Sequence, residues 1–126
     1  MLNLTQHPAS PEQVAAGVID LPAEDRAELQ GLLTFGELPG SDLVLYRADC
    51  IAALAKRAIK AAPDLNGTCM IGGALWLMAP LAEALRARGI EPFFAFSVRE
   101  TEEAPQADGS VRKIAVFRHK GFVRAL

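Results

Sequence analysis

The chain begins with an alternation of apolar and polar residues over Leu2-Asn3-Leu4-Thr5. Pro8 biases His7 away from helical geometry, so a short strand is expected over Leu2–Gln6 with His7 at its carboxyl end. Ser10-Pro11-Glu12-Gln13 supplies a cap, a first-position proline and a glutamine three residues on, which together form a capping box. The short helix that follows closes near Gly17. Pro22 opens a second helix whose Ala23, Leu29, Leu32 and Leu33 share a face, ending around Phe35-Gly36. Beyond the Gly36–Gly40 loop, Ser41 or Asp42 is the expected cap of a third helix. Leu43, Tyr46, Cys50, Ile51, Leu54 and Ala58 recur at helical spacing up to Ala62-Pro63, although Val44-Leu45-Tyr46 in isolation fits a strand.

Asn66-Gly67 marks a turn, and Thr68-Cys69-Met70-Ile71 is a compact apolar run that feeds through Gly72-Gly73 into a helix carrying Leu77, Leu81 and Leu85. Pro80 either kinks that helix or marks its true first turn. Phe93 to Val98 is apolar on both faces and reads as a central strand. Val111 to Phe117 pairs with it as a hairpin whose long polar tip runs from Glu100 to the Asp108-Gly109 turn. Phe122-Val123 adds a last edge. The expected fold class is one α/β domain over residues 1–126: a mainly parallel sheet of about four strands with an antiparallel C-terminal edge hairpin.

Composition narrows the class without naming a function. Of 126 residues 51% are hydrophobic, and 15 acidic against 13 basic side chains leave a formal charge of −2, which disfavours broad capture of duplex nucleic acid or an anionic membrane. Apolar runs such as Ala74–Met78 and Phe93–Phe96 are far shorter than the roughly 20 residues that span a bilayer. The first residues lack a basic start and a secretory apolar stretch, so a cytoplasmic protein with reduced Cys50 and Cys69 is expected.

In open parallel sheets, ligands sit beyond the carboxyl ends of the strands. That rule gathers Thr5-Gln6-His7, Gly72-Gly73 and Ser97-Arg99-Glu100. Gly72-Gly73 lets backbone approach an anion at a helix start, or equally makes a tight turn for close packing. His7 suits general acid or base work near neutral pH, or is a structural histidine ending a strand. Arg99 neutralises a phosphate and Ser97 donates to it, or Arg99 simply pairs with Glu100 or Glu102. If the last two strands form the hairpin as read, Arg112 and Lys113 approach this site while His119 lies at the opposite end. His119 then joins His7 only through a dimer partner or another strand order. Arg118-His119-Lys120 also reads as edge-strand charge that resists aggregation. Ligand spacing for a metal is absent, and both cysteines fall in apolar runs where inert thiols are usual. Trp76 and Met78 are assigned to the core or a subunit interface.

The layout, with LNLTQHPASPEQ at the start and MIGGALWLMAPLAEALRARGIEPFFAF in the middle, resembles the small CRISPR-associated ring-nuclease families. Those proteins begin with a strand ending in a polar-His-Pro turn before a helix. They continue through a strand, a glycine turn, a helix and a Gly-x-x-Pro step, matched here by Gly89-Ile90-Glu91-Pro92. The FRHKGF ending lies outside the pattern. The resemblance covers about half the chain and implies a Rossmann-like, three-layer homodimer that binds a cyclic oligoadenylate across its two-fold axis. It further implies metal-independent cleavage that uses no cofactor and is assisted by His7 and neighbouring polar groups. Thr5, Gln6, Gly72, Gly73, Ser97 and His119 are the expected ligand contacts, and His7 and Arg99 the catalytic pair. The alternative from a different class is a non-catalytic nucleotide sensor or a protein-binding accessory module.

Overall fold

The computed structural model describes all of residues 1–126. Its elements run β1 (Leu2–Leu4), α1 (Pro11–Ala15), β2 (Ile19–Asp20), α2 (Ala23–Leu33), α3 (Ser41–Ala61), β3 (Thr68–Ile71), α4 (Leu75–Arg86), β4 (Glu91–Pro105) and β5 (Val111–Arg124). They build one five-stranded sheet in the order β2-β1-β3-β4-β5, parallel from β2 to β4 and antiparallel between β4 and β5. This is a small Rossmann-like α/β domain, as the periodicities lead one to expect.

Side chains that alternate along the parallel strands, Leu2, Leu4, Cys69, Ile71 and Phe94, point to one face. There they meet Leu29, Ile51, Leu54, Leu77, Leu81 and Leu85 from α2, α3 and α4. A right-handed crossover from β1 to β2 puts α1 on the other face. Glu12 of α1 there accepts a hydrogen bond from the His119 backbone N–H at 3.2 Å. α1 is only 5 residues long and buries none of them, so that face is thinly covered. No helix is long and apolar enough to cross a membrane.

Local chemistry explains most element ends. The Ser10 hydroxyl accepts from Gln13 N–H at 3.2 Å and the Gln13 side chain accepts from Ser10 N–H at 3.0 Å, closing the expected capping box. α3 starts on Gly40, with Ser41 as its first helical residue, so neither Ser41 nor Asp42 is the cap. Asp42 instead stabilises the first turn through the helix dipole. Pro80 lies inside α4, which begins at Leu75, so it does not mark the first turn. Arg47 of α3 reaches back to the end of α2, where its guanidinium lies 4.4 Å from the Phe35 ring centroid and donates to the Thr34 carbonyl. Arg47→Ala is expected to cost about 1–2 kcal/mol in urea unfolding, because it removes both the ring contact and a helix-end bond.

Two expectations are corrected. β2 adds a fifth strand: two residues are too few to show alternation, yet they pair in register as Leu2↔Ile19 and Asn3↔Asp20. The hairpin is also far longer than its apolar stretches suggest. Pro105 pairs with Val111 across a short turn at 106–110, so Glu100–Pro105 is strand rather than a loop tip. β5 likewise runs unbroken through Arg118–Lys120 and Phe122-Val123, which are therefore not a separate edge.

Candidate functional site

The loop that follows β1 is held from beneath by a buried amide. Asn3 is 4% exposed. Its Nδ2 donates to the His7 carbonyl at 2.8 Å and to Asp20 Oδ1 at 2.7 Å. Its Oδ1 accepts from Thr5 N–H at 2.9 Å and Thr5 Oγ1 at 2.8 Å. Asp20 in turn accepts from Ala9 N–H at 3.0 Å. Every donor and acceptor of the Asn3 side chain is used, so residues 5 to 9 are fixed while the side chains of Gln6 and His7 remain exposed.

The Gln6 and His7 side chains line a shallow basin of about 290 Å³ with Gln30 and Thr34 of α2. Gln30 Nε2 donates to the Gln6 carbonyl at 3.2 Å, and Gln6 Nε2 donates to Thr34 Oγ1 at 3.4 Å. The His7 ring makes no hydrogen bond within the chain; only its carbonyl is engaged. Its imidazole is therefore free to meet a ligand.

Gly72 and Gly73 follow β3 at the same end of the sheet, since Leu4 and Ile71 share a rung. A Cβ on Gly72 would lie 3.4 Å from Thr5 Cγ2, so the two turns approach closely. Gly73 has φ of 139°, which favours glycine. α4 then begins without a side-chain cap, and Leu77 N–H is the amide turned back to Ala74 O. Free amides at the start of this 12-residue helix point out of the carboxyl end of the sheet.

The remaining sequence candidates are placed differently. β3 stops at Ile71 opposite Phe94, and β4 runs on as one arm of the hairpin. Ser97 lies three residues beyond that rung, opposite His119 at a bulge. Arg99 lies two further, roughly 17 Å along the strand from Phe94. Arg99 is exposed and is not brought against His7 or the glycines. It does not pair with Glu100 or Glu102, whose carboxylates take Arg118 and Lys120 instead.

The hairpin register reverses the expected positions of the basic residues. Arg112 and Lys113 pair with Ala104 and Glu103 near the tip, away from the site. His119, expected at the far end, sits on the Ser97 rung at the same end of the sheet as His7. The reason is the continuous pairing of 97–105 with 111–119, which carries the middle of β5 back toward the body. The His119 ring rests on Phe122, 4.8 Å between centroids, with both ring nitrogens buried and unpartnered. That leaves His7 as the exposed imidazole.

Two further features border the site. Met78 is in the core, but Trp76 is 56% exposed on the first turn of α4 and meets Phe35 edge-on at 5.9 Å. Trp76 and Pro80 help line an apolar groove of about 460 Å³ with Leu38 and Leu45. No three His, Cys, Asp or Glu side chains converge as a cation cage. Burial, reinforced by Glu91, pushes the Cys69 thiol up to about 12. A thiol reagent at pH 8 is therefore expected to label partly exposed Cys50 promptly and Cys69 only on unfolding, read by mass spectrometry.

Sequence reasoning missed Asn3, Asp20, Gln30 and Thr34. Asn3 occupies an ordinary polar slot in an alternating strand, and its sole signal is an asparagine in a strand that turns out buried on both faces. The other three become neighbours of the loop only through β2 pairing and α2 packing.

Comparison with curated proteins and with solved structures finds no match. One family model does match, and it spans residues 1–123, taking in β1, the pinned loop, the glycine turn and the hairpin up to Val123. The chain therefore belongs to the family described as the uncharacterized protein MJ1673 family.

Proposed function

We propose that this protein binds a nucleotide phosphodiester beyond the carboxyl ends of β1 and β3 and cleaves it without a metal, with a cyclic oligoadenylate as substrate class. The observation that carries the reading is the juxtaposition of a pinned loop presenting an unengaged His7 with a glycine turn and an uncapped helix start. The first offers a proton acceptor and the second offers fixed amide donors for anionic oxygens.

In this mechanism the ribose 2′-hydroxyl attacks its neighbouring phosphorus while giving its proton to a ring nitrogen of His7. The amides at Gly73 and the start of α4 hold the non-bridging oxygens as charge builds on them. The bond to the 5′-oxygen breaks, that oxygen takes up a proton from the imidazolium, and the ring opens to a linear product with a 2′,3′-cyclic phosphate. Gln6, Thr5 and Ser97 remain as polar contacts to the ligand. Arg99, out on the hairpin, has no part in this reading of a single copy. A homodimer would present two such sites to one ring, and the chain would act in the cytoplasm with both thiols reduced.

The second reading is a sensor that holds the nucleotide without cleaving it. It is favoured by the burial of the His119 ring, which leaves one exposed imidazole to serve as both base and acid. Incubating the protein with cyclic tri-, tetra- and hexa-adenylate in chelator, followed by chromatography, separates the two. Linear products support cleavage. A raised melting temperature without product supports the sensor, and no response to any ring removes the nucleotide reading.

A further inference from the structure

The apolar groove of about 460 Å³ lies between the first turns of α3 and α4, and its volume falls in the range of small-ligand sites. Its walls are Leu38, Pro39, Val44, Leu45, Trp76 and Pro80, and Ser41 supplies the one polar side chain. Leu38 is 98% and Leu45 58% exposed, and large apolar side chains gathered round one concavity mark an interaction site. Length limits what fits. Trp76 and Pro80 are separated by about 6 Å of helical rise. Past Pro80 the cleft between the two helices meets Asp49, Glu83 and Arg88, with Asp49 and Arg88 paired at 2.8 Å. The apolar stretch therefore accommodates a planar ring and is too short for the i to i+7 anchors of a docked helix.

The Trp76 ring is held in place by its neighbours. Phe35 meets it at 5.9 Å between centroids and 72° between planes, and the Arg47 guanidinium fixes Phe35 in turn from 4.4 Å. These contacts still leave Trp76 56% exposed. Phe35 follows Thr34, which lines the His7 basin, so the groove and the basin share the end of α2. Trp76 also stands on the first turn of α4, beside the amides assigned to the phosphodiester. The step from those amides to the indole is on the order of one helical turn, a span that a single ribose bridges between a phosphate and its base.

We infer that this groove is a base subsite, in which a purine stacks on the Trp76 indole with Leu38, Leu45 and Pro80 about its edge and the Ser41 hydroxyl on its polar rim. The inference rests on the nucleotide reading for its ligand and adds the residue that selects among nucleotides. Base–aromatic stacking tolerates every base, but a purine offers the larger face and displaces more water from the apolar walls. Trp76 touches no reacting atom, so it acts on binding and specificity and not on the chemical step. Its removal should therefore appear in KM far more than in kcat.

Trp76 is the sole tryptophan, so its fluorescence reports on the groove directly. Cyclic tetra-adenylate added to the full-length His7→Ala protein, which should leave the ring intact, is expected to quench that fluorescence saturably, and inorganic phosphate is not. Adenosine alone at millimolar concentration should also quench it, because the subsite does not need the phosphate. With His7 present, Trp76→Leu should raise KM for cyclic tetra-adenylate by about 5- to about 150-fold, the worth of one stacked base, while kcat falls by less than threefold. Trp76→Phe should recover most of the loss, which a variant that merely disturbs the helix start does not do. Cyclic tetra-uridylate should bind the wild type more weakly than the adenylate, and Trp76→Leu should narrow that gap. A ring that binds by calorimetry without changing the fluorescence, or that binds Trp76→Leu as tightly as wild type, overturns the inference and leaves the nucleotide reading standing. Quenching by adenosine with no binding of any ring upholds the base subsite and removes the phosphodiester reading. No response to adenosine or to any ring overturns both and assigns the groove to another occupant, such as an apolar segment of a second protein.

Discussion

His7→Ala is expected to lower the rate of cyclic oligoadenylate opening by about 10²- to 10⁴-fold, the range that a positioned general acid or base supplies. Stability should be almost unchanged. The His7 ring makes no bond within the chain, and the carbonyl that Asn3 holds at 2.8 Å is retained by alanine. A loss of rate with an unaltered melting curve therefore separates chemistry from folding. Turnover within threefold of wild type would remove His7 from the reaction, and a binding titration on the same variant would show whether it still contacts the nucleotide.

Asn3→Ala is expected to have the largest effect on the fold among polar substitutions. It removes four hydrogen bonds from a side chain that is 4% exposed, and one of its partners is the carboxylate of Asp20. Net losses of about 1 kcal/mol for each of the three neutral bonds and about 1.5 kcal/mol or more for the bond to the charged partner add to roughly 4–5 kcal/mol. Urea unfolding should show the midpoint falling with the slope unchanged. The loop should also loosen, since Thr5 N–H and the His7 carbonyl lose their anchor, and cleavage should drop although the variant keeps His7. Full activity in a destabilised Asn3→Ala protein would show that the pinned loop is not needed to present the imidazole.

The parts of this fold that could be read from the chain are those specified by neighbours in sequence. Ser10 and Gln13 form their capping box within three residues, and the run from Thr68 through Gly73 carries its own strand, turn and helix start. Asp108-Gly109 marks the hairpin turn correctly for the same reason. The hairpin's length could not be read, because both faces of the arm meet solvent and hence no apolar alternation marks Glu100–Pro105 as strand. What holds that segment extended is the partner strand, through Arg118 against Glu100 and Glu102 and through the Glu103↔Lys113 rung. That non-local register also decided the positions of His119 and Lys113, which local reading placed the wrong way round. In the site, His7 and the glycines were visible as residue types at strand ends. Asn3 and Asp20 were not, because their importance arises from a two-residue strand with no pattern of its own.

The most direct test of the account is where a nucleotide lands. Amide resonances of the ¹⁵N-labelled His7→Ala protein, which should bind without cleaving, can be followed as a cyclic oligoadenylate is added. The account predicts that the shifts concentrate at Thr5, Gln6, Gly72, Gly73 and the first amides of α4, Leu75 and Trp76. Shifts confined to the groove around Leu38 and Leu45, or to the hairpin beyond Arg99, would contradict it.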